Sequence, residues 1–262
     1  METVSRGTFA VFCLSLLCTS TGAVADDSDL DAVWTVGMEY ASGTYGGDAD
    51  IEDLYVPVGL SLNFPKVSFD LIVPYLRVRA PSGTTVTGPG GDPLPGTGDI
   101  ATESGLGDVV VGITAYDVLY SERRGLALDL VGRVKFGTAD ADKGLGTGEQ
   151  DFTVRADLYK YLEQFTLLGS VGYKFRGDPD GVDLENVIVA SLGGVFHASD
   201  RTSLGLILDY REATLAESDA VSELSAFIAR DFNDEWSVQF YVFSGFTDSS
   251  CDWGGGFLLI AG

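Results

Sequence analysis

Apolar and polar residues alternate along several stretches of the chain. In 54–64 every second residue is apolar, and Tyr, Pro, Gly, Ser and Asn lie between them. The same alternation occurs in 126–136 and 165–176, where charged residues take the second face. A period of two is that of a β-strand, and about ten tilted residues cross a bilayer. An apolar outer face with a polar interior predicts an all-β fold, a transmembrane β-barrel.

The breaks between these stretches alternate between short and long. Five are short, at 65–66, 121–124, 161–164, 198–201 and 233–235, and six are long and rich in Gly and Asp, at 43–53, 80–106, 138–149, 177–185, 212–219 and 248–252. They predict an antiparallel up-and-down barrel of about twelve strands, with short periplasmic turns and longer outer loops. We expect strands at 33–42, 54–64, 67–79, 107–120, 125–137, 150–160, 165–176, 186–197, 202–211, 220–232, 236–247 and 253–262. Pro57 and Pro74 each remove a ladder donor, so they predict local bulges.

The first 25 residues have the features of a signal peptide. Arg6 precedes an apolar run at 9–18, and Ala-Val-Ala at 23–25 fits a peptidase site. We expect cleavage before Asp26 and a single barrel domain at 26–262. A buried N-terminal helix is the alternative, but acid follows the short apolar run at once.

Composition narrows the classes of partner. The net charge is −23 and the pI is about 4.1, so nucleic acid is not an expected partner. After cleavage no run of 18 apolar residues remains, and Cys251 is the one cysteine, so neither a membrane helix nor an internal disulfide is expected. The long breaks hold many acids and one base, Lys143. Such an acidic rim either concentrates cations shared with lipopolysaccharide or only keeps the loops solvated.

The charged residues of the polar face are the candidates for a solute path. By alternation the lumen face includes Asp129, Arg133, Lys135, Arg155, Asp157, Lys174, Arg176 and Arg211. These charges either line an open path and set its selectivity, or pair across strands and fill a narrow lumen. Five of the bases fall on three consecutive predicted strands, so an open path would favour anionic solutes.

No catalytic residue, metal ligand or cofactor motif emerges. His197 is the only histidine and lies beside a short turn, the expected periplasmic end, away from the outer leaflet where barrel enzymes place theirs. The acids in 178–183 do not have the spacing of a helix-loop Ca²⁺ site and predict a turn, with Ca²⁺ binding through these carboxylates as the alternative. We therefore expect no enzyme.

Several short phrases resemble a known family. They are Gly-Leu-Gly-Asp at 105–108, Val-Lys-Phe-Gly-Thr at 134–138, Leu-Gly-Thr-Gly at 145–148 with Asp151, and the runs 234–237, 244–248 and 252–256. This pattern resembles the outer-membrane transporter family of the meta-pathway of phenol degradation, over nearly the whole mature chain. The resemblance implies a barrel that passes small, often hydrophobic or aromatic solutes, and it implies no catalytic residues.

The sequence thus predicts a channel for passive uptake of small solutes in the outer membrane of a Gram-negative bacterium. The rivals are a closed structural or adhesive barrel acting through its acidic loops, and a lipid-modifying enzyme. The expected partners are outer-membrane lipid and lipopolysaccharide, a small-molecule solute, periplasmic chaperones and the barrel-assembly machinery. We expect a monomer.

Overall fold

The computed structural model describes residues 9–13, 16–20, 30–88 and 93–262. Strands β1 (Phe9–Cys13) and β2 (Leu16–Ser20) pair with each other, apart from the main sheet. The rest of the predicted signal peptide, with its cleavage site, lies outside the described residues, and so do residues 89–92 of the predicted acidic long loop 80–106. Export therefore stays a prediction.

The main sheet is antiparallel and closes on itself. Its strands are β3 (Asp31–Gly43), β4 (Ile51–Asn63), β5 (Val67–Pro81), β8 (Ile100–Leu106), β9 (Val110–Ser121), β10 (Leu126–Lys135), β11 (Asp151–Tyr161), β12 (Phe165–Phe175), β13 (Val187–Ser199), β14 (Thr202–Arg211), β15 (Val221–Asp231), β16 (Trp236–Gly245) and β17 (Trp253–Ala261). β17 pairs with β3 to close the barrel, and β8 and β9 share one place in the wall beside β5. The described residues thus form the twelve-strand barrel that the alternation predicted.

The two faces of the wall are sorted as the alternation requires. Apolar side chains cover the outside, for example Trp34, Val171, Leu192, Leu206 and Val242, which are 54–68% exposed. The intervening positions face the lumen and are largely buried. An apolar outer belt around a closed antiparallel barrel is the surface that a bilayer covers.

The connections alternate between two ends. We call the end with connections at 44–50, 82–99, 136–150, 176–186, 212–220 and 246–252 the long-loop end, and the opposite end the short-turn end. A two-stranded hairpin, β6 (Thr85–Val86) with β7 (Pro93–Leu94), lies within the loop 82–99. Short 3-10 turns occur at Glu122–Arg124 and Ala141–Lys143. No helix of the described residues is long and apolar enough to span a membrane.

The proline prediction is partly wrong. Pro57 and Pro74 lie opposite each other in a β4–β5 ladder whose register does not shift. The strand pairing is instead interrupted on the other side of β5, where the partner of β5 changes from β9 to β8; we call this place the wall interruption. There Gly107 N donates a hydrogen bond to Pro74 O at 2.9 Å. Proline has no N–H to donate to a neighbouring strand. A break in the strand pairing beside Pro74 therefore leaves no backbone donor of that residue without a partner. The register also shifts between Leu128 and Leu130, opposite a segment of β9 that contains Asp117 at φ 51°.

Candidate functional site

All eight predicted path residues lie at lumen-facing positions. Arg155, Asp157, Asp129, Lys135, Arg176 and Arg211 are buried, and Arg133 and Lys174 are half-buried. Their burial shows that other groups cover them, and the contacts below identify those groups.

A chain of alternating charges lies at the long-loop end of β10–β12. Lys135 Nζ lies 2.7 Å from Asp108 Oδ2, and Asp151 Oδ2 lies 3.9 Å from Lys135 and 3.2 Å from Lys174. Lys135 also donates to Glu149 O at 3.0 Å. The Asp108 side chain is fully buried and that of Lys135 is 6% exposed, so this is an internal network rather than a charged surface. We call Asp108, Lys135, Asp151 and Lys174 the charge chain.

The charge chain also joins the wall interruption to the loop 136–150. Asp108 Oδ1 accepts a hydrogen bond from Ala139 N at 3.0 Å, and Thr138 Oγ1 accepts one from Val109 N at 2.9 Å. A Cβ on Gly146 would lie 2.8 Å from Asp108 Oδ1, so glycine is needed for this approach. The phrases at 105–108, 134–138 and 145–148, distant in sequence, therefore meet at one place in the fold.

Arg155 and Asp157 form a separate pair on β11. Arg155 Nε and Nη2 donate to the two carboxylate oxygens of Asp157 at 2.6 and 2.8 Å. Both side chains are 4% exposed. A bidentate pair of this kind largely cancels the charge of both groups within the lumen.

Arg176, just after β12, contacts two loops at once. Its Nη2 donates to Thr87 Oγ1 at 2.8 Å, in the loop 82–99, and its Nη1 donates to Thr214 Oγ1 at 2.6 Å, in the loop 212–220. Thr87 is completely buried. The loops at this end therefore fold inward over the lumen rather than stand away from it.

The three remaining candidates differ in their surroundings. Asp129 Oδ1 accepts a hydrogen bond from Asp117 N at 2.7 Å, beside the register shift near the short-turn end. Arg133 and Asp70 both lie over Gly112, where an added Cβ would be 3.5 Å from Arg133 Cγ and 3.3 Å from Asp70 Oδ2. Arg211 lies on the lumen face of β14. Of the eight predicted path residues, the structure therefore brings Lys135 and Lys174 together at Asp151, whereas Asp129 lies apart from them, near the short-turn end.

Two apolar clusters fill other parts of the interior. The inner cluster, toward the short-turn end, consists of Val33, Leu168, Val195, Ile207, Phe227, Tyr241, Leu258 and Ile260, all at most 7% exposed. The outer cluster consists of Ile51, Tyr55, Leu76, Val78, Ala80, Val86, Ala139 and Leu145. Val86, Ala139 and Leu145 belong to the loops 82–99 and 136–150, so those loops complete the outer cluster.

Sequence reasoning missed Glu39 as a lumen residue. It is 1% exposed on β3, and its Oε2 accepts a hydrogen bond from Tyr241 OH at 2.6 Å. The alternation in the sequence could have identified it. Trp34, Val36 and Met38 lie on the apolar outer face of β3, which places Glu39 on the opposite, lumen face. Asp108 was noted only as part of a family phrase.

His197 has surroundings consistent with a polar packing role. Its Nε2 lies 3.0 Å from Thr166 Oγ1 and its Nδ1 lies 3.4 Å from Ser203 Oγ, near the short-turn end. Among the described residues, no group of three or more His, Cys, Asp and Glu side chains is arranged to hold a metal ion. In the segment 178–183, Asp178 Oδ1 accepts from Leu184 N at 2.8 Å and Gly181 has φ +82°, as in a turn.

Comparison with solved structures identifies the fold. The chain is similar to the COG4313 outer membrane channel from Pseudomonas putida F1, with TM-score 0.72 and 13% identity over 93% of this chain and 99% of that one. It also resembles the KdgM porin (TM-score 0.54, 7% identity, 88% and 98% covered) and the NanC porin (0.54, 8%, 87% and 98%). No family model and no curated protein sequence matches.

These likenesses confirm the coarser part of the sequence resemblance. The predicted membership of the phenol meta-pathway family stays a prediction. The closed barrel and its apolar outer belt agree with the fold of these neighbours. The chain has the β-barrel fold of outer-membrane channels and porins.

Proposed function

We propose that the protein is a passive channel for small apolar solutes, aromatic ones included, in the outer membrane of a Gram-negative bacterium. The observation that supports this most directly is the inner cluster. Barrel interiors are usually polar, and water-filled in porins. Here eight buried side chains, all apolar apart from the Tyr241 hydroxyl, form the inner cluster. Such an interior favours an apolar solute over a hydrated one.

The proposed path begins at the long-loop end, which we place outside the cell. A solute first meets the outer cluster, where Val86 and Leu145 are buried against the wall. Arg176 and the charge chain hold the loops in this inward position through the contacts described above. Opening therefore requires movement of the loops 82–99 and 136–150, while the barrel wall keeps its register.

The interruption of the wall offers an exit toward the bilayer. Within the described residues, β8 lies at the end of the sheet order and pairs only with β5. Leu106 at its end is 61% exposed. An apolar solute that reaches this level has an apolar surface to follow into the membrane, which a sugar or an ion lacks.

The eight predicted path residues have different roles in this proposal. Lys135 and Arg176 hold the loops, and Lys174 pairs with Asp151 at the start of β11. Arg155 and Asp157 neutralise each other within the wall. Arg133 and Arg211 line the path, and Asp129 supports the adjacent register shift. The paired contacts favour a filled, gated lumen over the open anion-selective path that the basic residues alone suggested.

The proposal includes export, assembly and lipid contact. Residues 1–25 direct secretion, periplasmic chaperones and the barrel-assembly machinery insert the chain, and the acidic long loops face lipopolysaccharide. We propose a monomer without enzymatic activity or cofactor. His197 contacts the hydroxyls of Thr166 and Ser203 at the short-turn end, which is a polar packing environment. A closed adhesive barrel is the main rival.

Uptake measurements separate these functions. Gram-negative cells with and without the protein are given a radiolabelled neutral aromatic solute, for which lipopolysaccharide is the barrier. Liposome swelling with sugars and amino acids is measured in parallel. The channel proposal expects protein-dependent aromatic uptake and slow sugar entry. Rapid sugar entry would indicate an aqueous pore, and no protein-dependent entry of any solute would indicate a closed barrel.

A variant tests the inner cluster in the same assay. Ile207→Ser places a hydroxyl in the inner cluster at a completely buried position. We expect slower aromatic uptake at an unchanged amount of folded protein. The outward-facing Leu206→Ser is the matched control, because its side chain is 56% exposed on the lipid side of the same strand.

A further inference from the structure

Glu39 and Tyr55 lie opposite each other in the β3–β4 ladder, on the lumen face. Their side chains are almost completely buried, at 1% and 2% exposure. Glu39 Oε2 is bonded to Tyr241 OH at 2.6 Å. Within the described part of the chain, Glu39 Oε1 and Tyr55 OH have no hydrogen-bond partner.

This pair lies at the junction of the two apolar clusters. Tyr55 belongs to the outer cluster, and Tyr241, which holds the other oxygen of Glu39, belongs to the inner cluster. Glu39 therefore connects the two clusters, through its bond to Tyr241 and its pairing with Tyr55.

The absence of a side chain at Gly256 allows the Tyr241 hydroxyl to reach Glu39. Gly256 is paired with Glu39 across the β17–β3 ladder. A Cβ there would lie 2.8 Å from Tyr241 OH and 2.9 Å from Glu39 Cα. Without a side chain at 256, the Tyr241 ring reaches over β17 and fixes the Glu39 carboxylate.

The electrostatic surroundings of Glu39 are acidic. Asp53 and Glu223 are close enough to interact with Glu39 electrostatically. The basic side chains Lys135, Lys174 and Arg155 are already paired with other carboxylates. Arg133 is close enough to Tyr55 to interact with it electrostatically, so the three carboxylates of Glu39, Asp53 and Glu223 outnumber one guanidinium here, and a positive group is stabilised on this side of the lumen.

The chemistry of the two free atoms defines the ligand. A buried acceptor without a donor is costly, and a ligand that supplies an N–H removes that cost. Oxygen atoms of a carboxylate and a phenol both accept hydrogen bonds from an ammonium group. The described residues provide no group of three or more acidic, His or Cys ligands for a metal ion, so one carboxylate with one phenol fits an N–H donor better.

We propose that Glu39 and Tyr55 form a binding site for the primary ammonium group of a solute inside the barrel. Glu39 Oε1 accepts one N–H and Tyr55 OH accepts another, while Tyr241 keeps the carboxylate in place. The site rests on the proposed channel function for the solute's access to the lumen. It gives this channel a preference for amines among small solutes with apolar parts.

The test measures binding to the purified, detergent-solubilised protein, without transport. Saturation-transfer difference NMR is recorded with methylammonium, which has N–H donors, and with tetramethylammonium, which has none. Methylammonium should bind the wild type, and Glu39→Gln should weaken it about tenfold through loss of a charge-assisted bond. Tyr55→Phe, which changes no charge, should weaken methylammonium but leave tetramethylammonium unchanged.

Asp70→Asn is the matched control. Asp70 also faces the lumen, but its carboxylate already accepts a hydrogen bond from Ser61 at 2.6 Å. Equal weakening by Glu39→Gln and Asp70→Asn would overturn the site in favour of a general effect of lumen charge. Equal binding of both ammonium ions, or no methylammonium binding to the wild type, would also overturn it.

Folding and function are kept separate in this design. The amide introduced by Glu39→Gln still offers an acceptor to Tyr241, and unboiled gel mobility checks that each variant is folded. If Glu39→Gln does not fold, Tyr55→Phe decides the question alone. Methylammonium binding without aromatic uptake in cells would refute the channel proposal only, and uptake without binding would refute this site only.

Discussion

Arg176 and Thr87 are 89 residues apart in sequence, and Arg176 Nη2 donates to Thr87 Oγ1 at 2.8 Å. The same guanidinium holds Thr214, so one buried side chain directly after β12 fixes two other loops of the long-loop end. The outer cluster depends on this inward position of the loop 82–99, because Val86 is adjacent to Thr87. We expect the contact to control how often the lumen opens.

Replacement of Arg176 with methionine should open the channel. Met has a similar length but no donors, so both loops lose their bond to the wall. In planar bilayers we expect more frequent opening or a larger conductance than in the wild type. Arg201→Met, at an exposed short-turn site that contacts Phe232 O, should leave the conductance unchanged. Identical currents for Arg176→Met and the wild type would remove the loops from gating.

The Lys135–Asp108 pair should be needed for stability. Lys135→Met leaves Asp108 buried without its cation, and breaking a buried pair costs about 3–5 kcal/mol. The double variant with Asp108→Asn should recover part of that loss, since no unpaired charge remains. Urea unfolding of the barrel in liposomes measures the difference. Lys143→Met, which removes an exposed pair with Asp140, should have little effect.

The outcome for this pair would be informative in either direction. Equal stability of Lys135→Met and the wild type would mean that water reaches Asp108 and that the lumen is hydrated at this level. A double variant less stable than Lys135→Met would mean that the hydrogen bond from Ala139 N to Asp108 matters more than charge.

The barrel and its lumen face were predictable from sequence because lipid and lumen impose a period of two. Trp34, Val36 and Met38 on one face and Glu39 on the other follow the same rule as Val171 and Lys174 on β12. The contacts of the lumen residues were not predictable. Thr87 and Leu145 lie in loops without periodicity, and their inward position depends on tertiary contacts with Arg176 and the wall.

Orientation should be testable with single cysteines. Asp142→Cys, in an exposed turn of the long-loop end, should react with a membrane-impermeant maleimide on intact cells. Arg123→Cys, at the short-turn end, should react only after the outer membrane is permeabilised. Equal labelling at both sites in intact cells would reverse or break the proposed orientation.

The native cysteine does not complicate this experiment. The Cys251 side chain is 2% exposed, and burial, together with the nearby Glu223 carboxylate, raises the pKa of its thiol. Because the thiol stays protonated at the neutral pH of labelling, we expect the wild type to be unreactive. Labelling of the wild type at neutral pH would show that the loop 246–252 opens.

A charge on the outer belt should destabilise the barrel. Val171 is 58% exposed at the middle of β12, so Val171→Arg places a cation in the lipid and should cost about 2–4 kcal/mol. Leu162→Arg, at a 48% exposed position of a short turn, should be tolerated because the guanidinium reaches the interface. Unfolding in liposomes gives both values. A neutral Val171→Arg would mean that this face does not contact lipid.

Gly256 should be essential for the packing of β17 against β3. A Cβ at this position would lie 2.4 Å from Met38 O and 2.8 Å from Tyr241 OH, so Gly256→Ala overpacks the wall and should cost about 1–3 kcal/mol. Gly59→Ala is the matched control, since its nearest new contact is Thr35 Cβ at 3.6 Å. The temperature at which the unboiled band disappears on a detergent gel measures the difference. Tyr241→Phe added to Gly256→Ala should restore little, because the contact with the Met38 carbonyl remains. Full recovery would instead assign the cost to the Tyr241 hydroxyl and its bond to Glu39.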